Sequence, residues 1–502
     1  MILKIDGNIN RYYVQTLCMV FFPGATFGEK EESGEGIPEV SVNVYKDADS
    51  CGVTSYVSIK LNDKVCDATA TVRYDEVVTI ASYEAIAVGR ALFSAGKDLL
   101  GHIPPWGILT GVRPAKIARS LIVGGNGITK SKRILRDEYF LNPQKAHLAV
   151  SVASTEMKLC KNLASDLCSV YISIPFCPSR CAYCSFVSYT SGKLLSLIPE
   201  YLKTLSVDIE RMFATIKALG KRVATVYIGG GTPTTLSADQ LRFLLSKITE
   251  NVDPSSLMEF TLEAGRPDTI TAEKLRVAKE FGVTRISVNP QILSDEILES
   301  IGRRHTVDDF FRAYDIAASS GIKDINVDLI AGLPNDNFAN FAYSVDKIIE
   351  LAPSNITVHT FCVKKAADVL RENTDVYSLS GGDAAKCVSY SQLKTKFAGY
   401  RPYYMYRQKN TVGNLENVGY AKEGSEGMYN IFMMEELHSI FAVGAGAVTK
   451  LVDYRRPGDG KSRIVRLFTP KYPYEYLEHS QKCSEEEREQ QIKEIFEFFS
   501  QS

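Results

Sequence analysis

Between about residues 169 and 360, short apolar segments rich in β-branched residues alternate with longer segments that have helical spacing. Strands are predicted over residues 170–174, 224–228, 258–263, 285–288, 325–330 and 356–360. Helices are predicted between them, over residues 197–219, 238–248, 272–281 and 338–351, with further helical segments up to residue 319. Repeated βα units favour parallel strands wrapped by helices. The sequence therefore predicts an α/β fold for this part of the chain.

The N-terminal part has a different pattern. Residues 53–61 and 65–74 alternate apolar and polar positions around Asn62-Asp63, which predicts a β-hairpin. Residues 83–99 and 114–123 have helical spacing, so this part is predicted to be an α+β domain. The basic pair in the string Gly-Val-Arg-Pro-Ala-Lys, at the start of the second helix, is interpreted as structural.

The regular βα alternation ends near residue 365. A stretch rich in Tyr and Gly covers residues 398–450, and a charged amphipathic helix is predicted over residues 484–499. At 502 residues, the chain is long enough for two or three domains. We therefore expect an N-terminal α+β domain of unassigned role (1–165), the βα domain (166–365) and a C-terminal region that covers the substrate (366–502).

Three cysteines, Cys177, Cys181 and Cys184, follow the first predicted strand of the βα domain. Their C-x₃-C-x₂-C spacing offers three thiolates, whereas iron–sulfur clusters and structural zinc ions normally have four ligands. A cubane cluster held by three thiolates leaves one iron open for chemistry. Two alternatives are a zinc site completed by a distant ligand and buried cysteines that act as small hydrophobes. Zinc modules usually have a second Cys or His pair, but the six histidines are scattered singly.

Glycine and polar residues follow the other predicted strands. Gly229-Gly-Gly-Thr-Pro233 follows the second strand, Glu263 ends the third, Gln291 lies just past the fourth and Asp328 lies in the fifth. Active sites in parallel α/β barrels form at the C-terminal ends of the strands, so these residues are expected at one rim with the cysteines. The glycines allow backbone groups to approach a ligand closely, and Arg303 offers a planar donor fork suited to a carboxylate.

The cysteine spacing is the signature of radical S-adenosylmethionine (SAM) enzymes, which the chain resembles. The resemblance implies a partial (β/α)₆ barrel and a [4Fe–4S] cluster on the three cysteines, with SAM chelating the open iron. It also implies the SAM-binding residues. Gly229, Gly230, Gly231 and Thr232 bind the amino end of SAM, Glu263 accepts hydrogen bonds from the ribose, and Gln291, Arg303 and Asp328 contact the methionyl carboxylate and ribose. Packing roles are expected for Tyr171 and Tyr183, and shielding of the cluster for Phe176 and Phe186.

Four strings narrow the resemblance: Tyr-Ile-Ser-Ile-Pro-Phe-Cys, Gly-Gly-Gly-Thr-Pro-Thr, Arg-Ile-Ser-Val-Asn-Pro-Gln and Asp-Leu-Ile-Ala-Gly-Leu-Pro. They resemble the oxygen-independent coproporphyrinogen III oxidase group, and the N-terminal basic string is most similar to its coproporphyrinogen dehydrogenase (HemZ-type) branch. Residues 417–420 and 443–447 resemble C-terminal elements of the group.

The resemblance implies oxidative decarboxylation of coproporphyrinogen III to protoporphyrinogen IX in haem biosynthesis. A 5'-deoxyadenosyl radical abstracts a β-hydrogen from a propionate, and loss of CO₂ and one electron leaves a vinyl group. An electron donor or acceptor is therefore an expected partner. The substrate carries four carboxylates, for which the candidate cationic clamps are Lys364, Lys365, Arg407 and Lys409. Solvated side chains are the alternative for these four residues.

One position departs from the oxidase pattern. The oxidases of this group carry a fourth cysteine two residues after the third, where this chain has Phe186. Phenylalanine there is typical of the haem-chaperone branch, whose members bind and deliver haem without decarboxylation. A haem-binding protein is therefore the alternative function. His359 is the candidate haem ligand in that case, and a barrel-core histidine is the alternative for this residue.

Composition and charge limit the partners and the compartment. The net charge is −1, which argues against a protein whose main partner is nucleic acid, including a nucleic-acid-modifying radical SAM enzyme. The apolar runs are too short to span a bilayer, and the N-terminus has no secretory pattern. The 11 cysteines are interpreted as reduced thiols plus a metal site, so a cytoplasmic location is expected.

Overall fold

A computed structural model describes residues 1–27, 36–47, 49, 51–76, 82–111, 113–184, 190–362, 382–408, 411–453 and 463–500. Within these ranges, the strands form one sheet of four strands and one sheet of eleven. No helix in these ranges is long and apolar enough to cross a membrane.

The four-stranded sheet belongs to the N-terminal part. Its strands, in sheet order, are β1 (Ile2–Asp6), β2 (Glu39–Asp47), β3 (Gly52–Leu61) and β4 (Lys64–Arg73). The helices of this part are α1 (Arg11–Phe21), α2 (Tyr83–Leu100), α3 (Pro114–Leu121), α4 (Gly127–Asp137) and α5 (Pro143–Leu159). The predicted hairpin is confirmed, because β3 and β4 pair antiparallel with Leu61 opposite Lys64. Asn62 in its turn has a φ of 54°, in the left-handed region that tight hairpin turns require.

Six parallel strands form the centre of the larger sheet. They are β5 (Leu167–Ile174), β6 (Arg222–Gly230), β7 (Glu259–Leu262), β8 (Arg285–Ser287), β9 (Asp324–Ala331) and β10 (Asn355–Thr360). The connecting helices are α6 (Gly192–Leu195), α7 (Ile198–Ala218), α8 (Ala238–Thr249), α9 (Ala272–Glu280), α10 (Asp295–Ser300), α11 (Val307–Ser319) and α12 (Phe338–Leu351). Each of these strands pairs in parallel with the next, which confirms the α/β fold and the partial (β/α)₆ barrel.

The C-terminal region adds strands to both edges of this central sheet. Its elements are α13 (Gly382–Phe397), β11 (Arg401–Arg407), β12 (Glu416–Ala421), α14 (Met428–Glu435), β13 (Ile440–Val443), β14 (Val448–Asp453), β15 (Arg463–Phe468), α15 (Pro473–Lys482) and α16 (Glu485–Ser500). Strand β12 pairs antiparallel with β10, and strand β13 pairs in parallel with β5. The barrel therefore stays open, and each edge strand of its parallel part has a C-terminal neighbour.

Ion pairs, one of them buried, join the N-terminal part to this C-terminal region. Lys145 of α5 forms an ion pair with Glu416 of β12, and Trp106 Nε1 donates to the same carboxylate at 2.8 Å. Arg113 and Lys116, the basic pair at the start of α3, both contact Glu436 after α14. The interpretation of that basic pair as structural agrees with these contacts.

Candidate active site

A cavity of about 260 Å³ lies at the C-terminal ends of the parallel strands. It brings together ten of the residues predicted for the cluster and for SAM. These are Cys177, Cys181, Cys184, Gly230, Gly231, Thr232, Glu263, Gln291, Arg303 and Asp328. Gly229 does not line the cavity, although it belongs to the same glycine segment.

The three cysteines lie on the loop that follows β5. The Cys184 backbone N–H donates to Cys181 O at 3.1 Å, which gives the loop a tight turn. The Ala182 N–H donates to Ile301 O at 2.9 Å, so the loop is also attached to the chain after α10. Cys177 Sγ lies 3.4 Å from Thr232 Oγ1 of the glycine segment. The loop is therefore held from two sides, and its thiols face one cavity.

The glycine segment after β6 packs closely against the start of the cysteine loop. Gly231 N–H donates to Ile174 O at 2.8 Å, and Thr232 N–H donates to Phe176 O at 2.7 Å. A Cβ on Gly231 would come within 2.5 Å of Phe176 O, so no side chain fits there. A Cβ on Gly229 would lie 2.8 Å from Glu263 Oε2. Gly229 therefore leaves room for the Glu263 carboxylate, while Gly230 and Gly231 present backbone to the cavity.

Glu263 is the buried acid of this site. It accepts a short hydrogen bond from the Tyr227 hydroxyl, and it lines the cavity just past β7. Burial raises its pKa to about 7, against the lowering effect of the Tyr227 hydrogen bond, and the nearby Asp328 charge raises it further. The carboxyl is therefore ready to accept hydrogen bonds from hydroxyl groups of a bound ligand. Tyr227 and Tyr171 stack with a centroid separation of 6.0 Å, in agreement with the packing role expected for Tyr171.

Arg303 is buried, and its position is set by backbone and tyrosine partners. Its Nη1 donates to Asn289 O at 2.7 Å, while its Nε and Nη2 lie 3.2 and 3.0 Å from the Tyr183 hydroxyl. Burial by itself lowers the pKa of Arg303, but the adjacent Tyr183 and Cys181 outweigh it and raise the pKa above its ordinary value. The guanidinium therefore stays charged beside the cysteine loop, where it can bind a carboxylate. Tyr183 orients this arginine in addition to packing.

Gln291 lies just past β8 and beside Asp328 of β9. Gln291 has a φ of 72°, a left-handed conformation that is rare for a residue with a side chain and that is frequent at functional sites. Its N–H donates to Asp328 O at 3.1 Å. Asp328 Oδ1 accepts from Asn326 Nδ2 at 2.7 Å, and Asp328 Oδ2 lies 3.7 Å from His359 Nε2. The carboxylate thus lies between the Asn326 side-chain amide of β9 and the His359 imidazole.

The wall opposite the cysteines is formed by β10 and the C-terminal region. His359 lines the cavity, so it does not belong to the barrel core, and its Nδ1 lies 3.2 Å from the Tyr406 hydroxyl. Gln408 and Asn417 also line this wall. The sequence connects residues 417–420 only with a family element and assigns no role to Tyr406 or Gln408. Tyr406 lies on β11, Gln408 follows this strand and Asn417 lies on β12, so their common position is apparent only once β12 is known to pair with both β10 and β11.

Further lining residues also escaped the sequence analysis. Asn289 is within the string Arg-Ile-Ser-Val-Asn-Pro-Gln, and Arg266 follows Glu263 by three residues, so both had a positional signal at a strand end. Arg407, a proposed substrate clamp, is buried and points elsewhere. It donates to Leu109 O and to Asn414 O, and its guanidinium lies over the Trp106 ring. Lys364, Lys365, Lys409 and Phe186 lie outside the described residues.

The three cysteine side chains line one cavity, as the ligands of one cubane cluster must, since each thiolate binds a different iron of the same cluster. Among the residues that the structure describes, no group of three His, Cys, Asp or Glu side chains that could hold a single metal ion is found. Arg303, Glu263 and the backbone of Gly230 and Gly231 line the same space with complementary groups for the carboxylate, hydroxyl and amino functions of SAM.

Comparison with known proteins agrees with this geometry. Residues 171–348 match the radical SAM superfamily. The chain is 36% identical over 401 residues to the oxygen-independent coproporphyrinogen-III oxidase-like protein HemZ of Bacillus subtilis, and the match covers 79% of each protein. The chain belongs to the radical SAM superfamily. It is a member of the coproporphyrinogen III oxidase-like group, and its cofactors are a [4Fe–4S] cluster and SAM.

Other similar proteins are named haem chaperones. The haem chaperone HemW of Haemophilus influenzae is 30% identical over 339 residues, which are 66% of this chain and 81% of that protein. Among solved structures, coproporphyrinogen III oxidase (HemN) of Escherichia coli superposes with a TM-score of 0.51 at 19% identity. That match covers 66% of this chain and 72% of HemN, and it shows that the fold is shared.

Proposed function

We propose that this protein is a radical SAM enzyme that oxidatively decarboxylates coproporphyrinogen III to protoporphyrinogen IX. The proposal depends above all on one observation: a single cavity has the three cysteines at one side and a wall of neutral hydrogen-bonding side chains at the other. The 36% identity with the oxidase-like HemZ over most of both chains supports this choice of substrate.

Each side of the cavity has a separate task. Cys177, Cys181 and Cys184 hold the cluster, and Arg303 and Glu263 orient SAM through its carboxylate and ribose. When bound, the cluster and SAM together supply a 5'-deoxyadenosyl radical that removes a hydrogen atom from the substrate. Burial of Arg303 limits the access of water to this residue and fixes the geometry of the bound cofactor.

The opposite wall is the proposed place of the reacting propionate. Tyr406, Gln408 and Asn417 offer donors to its carboxylate without fixing it by charge. Among the described lining residues, the arginines are Arg266 and Arg303, and both lie on the cofactor side. A carboxylate that must leave as CO₂ is better held by neutral donors, because a buried ion pair would stabilise the charged reactant. The wall also supports the proposal that the C-terminal region covers the substrate.

The test is an anaerobic turnover assay. The cluster is reconstituted, reductant and SAM are added, and coproporphyrinogen III is supplied with an electron acceptor. We expect substrate-dependent 5'-deoxyadenosine, CO₂ and a tetrapyrrole with two propionates fewer. The Cys181→Ala variant is the control, and it should lose the brown absorbance of the cluster together with all three products. A full cluster in that variant would contradict the ligand assignment.

A second candidate function is haem binding without decarboxylation. Three observations favour it: the HemW relatives, Phe186 at the position of the fourth oxidase cysteine, and the imidazole of His359 in the cavity wall. Haem titration distinguishes the two functions. A Soret band that is lost in His359→Ala and kept in the control His102→Ala, with no CO₂ or 5'-deoxyadenosine from the active cluster, would replace the oxidase proposal with this one.

A further inference from the structure

A buried arginine outside the predicted SAM site contacts a cluster cysteine. Arg266 follows β7, is 3% exposed, and lies with its Nη1 3.5 Å from Cys181 Sγ. The same guanidinium donates from Nη2 to Ser179 Oγ at 2.9 Å and from Nη1 to Ser179 O at 3.4 Å. The guanidinium therefore contacts the middle of the cysteine loop at one backbone atom, Ser179 O, and at two side-chain atoms, Ser179 Oγ and Cys181 Sγ.

A carboxylate fixes the orientation of this guanidinium. Arg266 Nε lies 3.1 Å from Asp268 Oδ1, and its Nη2 lies 3.2 Å from Asp268 Oδ2. This two-point contact sets the plane of the fork, so that Nη1 is directed towards the sulfur. The side chain of Asp268 is 23% exposed, while that of Arg266 is 4% exposed, so water screens the acid more than the arginine. The guanidinium, which faces the cysteine loop, is therefore less exposed to water than the Asp268 carboxylate.

We propose that Arg266 is a positioning residue that raises the reduction potential of the cluster by donating a charge-assisted N–H···S hydrogen bond to the Cys181 thiolate. Hydrogen bonds to the cluster sulfurs, net charge and burial all tune the potential of iron–sulfur clusters. Reduction adds one negative charge to the cluster and its thiolates. A fixed positive charge at hydrogen-bond distance in a dry site stabilises the reduced form more than the oxidised form.

The neighbouring Arg303 has a different set of contacts. Its hydrogen bonds go to Asn289 O, Gly265 O and the Tyr183 hydroxyl, and its proposed role is to bind SAM. Arg266, by contrast, has its Nη1 within 3.5 Å of the Cys181 sulfur. The effect of Arg266 depends only on the cluster. It is therefore expected both for an enzyme that decarboxylates coproporphyrinogen III and for a protein that carries haem.

The experiment measures the midpoint potential of the reconstituted full-length protein. A redox titration is followed by the electron paramagnetic resonance signal of the reduced cluster, without SAM or substrate. For Arg266→Gln we expect at least a tenfold smaller equilibrium constant for one-electron reduction, which is a shift of about 59 mV to more negative potential. Arg266→Lys keeps the charge but cannot hold Asp268, Ser179 and Cys181 together. We expect a smaller shift of the same sign for that variant.

Arg285→Gln is the matched control. Arg285 is also a buried arginine with acidic partners, Glu259 at 3.3 Å and Asp324 at 3.6 Å, but it begins β8 and so lies at the opposite end of the barrel. The midpoint potential of the cluster in the Arg285→Gln variant should equal that of the wild type. Iron content and absorbance of each variant establish that the cluster is complete. A wild-type potential in Arg266→Gln with four irons overturns the proposal; if that variant does not retain the cluster, a wild-type potential in Arg266→Lys overturns it.

Discussion

At the scale of single residues, Glu263 shows how one buried carboxyl depends on its surroundings. Its hydrogen bond from Tyr227 favours the charged form, whereas burial and the Asp328 charge favour the neutral form. Burial has the largest effect, so the pKa of Glu263 rises to about 7 from an ordinary value of 4.5. The native state therefore holds this proton more tightly than the unfolded chain does at pH values between these two numbers.

The stability of the protein without cofactors should therefore depend on this residue between pH 4.5 and 7. The contribution of Glu263 is fully present below pH 4.5 and is lost as the pH rises through 7, up to about 3 kcal/mol. The side chain at position 263 cannot ionise in the Glu263→Gln variant. The free energy of unfolding of this variant should therefore fall less than that of the wild type between pH 4.5 and 7. Urea denaturation of both proteins at pH 5 and pH 8 measures the difference. Parallel pH dependences would contradict the assigned pKa.

At the scale of elements, the glycine segment and the cysteine loop form one unit. The backbone of Gly231 and Thr232 pairs with Ile174 and Phe176, at the beginning of the loop that carries the proposed cluster ligands. Phe176 in turn packs edge-on against Tyr201 of α7, with ring centroids 5.2 Å apart. The position of the cysteines thus depends on a close backbone contact between the ends of β5 and β6.

Gly231→Ala should disturb this unit. Its Cβ would lie 2.5 Å from Phe176 O and 2.9 Å from Ile174 O, and both are backbone atoms that cannot rotate away. We expect a loss of stability of about 1–3 kcal/mol and fewer than four irons after reconstitution. Gly192→Ala is the control, since no atom lies within 4 Å of the added Cβ. Thermal unfolding and iron analysis compare the two, and equal values for both variants would contradict the close contact.

At the scale of the whole molecule, the N-terminal part is attached to the C-terminal region through a buried charge. The side chain of Glu416 is fully buried, and its partner Lys145 is 4% exposed. Helix α5 also carries a second lysine, Lys158, whose ion pair with Glu423 lies on the surface at 73% and 65% exposure. One helix therefore offers a buried and an exposed pair for direct comparison.

Lys145→Met should be far more damaging than Lys158→Met. Removing Lys145 leaves the buried Glu416 charge with the Trp106 indole N–H as its side-chain hydrogen-bond partner among the described residues, so we expect a loss of about 3–5 kcal/mol. Loss of the exposed pair should cost only about 0–1 kcal/mol. Denaturant unfolding of both variants, with equal iron content, measures these values. Similar effects of the two substitutions would contradict the buried placement of Glu416.

The barrel and most of its rim could be predicted because their signals are local. A strand, its following motif and its helix are neighbours in sequence, and ten of the eleven predicted site residues line one cavity. Gly229 differs because its role is to leave space for Glu263 across the sheet. The contact between Arg266 and Cys181 joins distant parts of the chain, and so does the pairing of β12 and β13 with the barrel edges. Such contacts follow from tertiary packing, and a pattern within one segment does not contain them.

The pairing of β13 with β5 also has a consequence for how the protein matures. On the ribosome, β5 emerges early, and its outer edge stays uncovered until residues 440–443 have been synthesised. An uncovered strand edge is a template for pairing with other chains. The cysteine loop begins at the end of this same strand, so we expect its full support only after residues 440–443 have been synthesised. A translation product that stops before β13 would carry the cysteines without the edge that supports them.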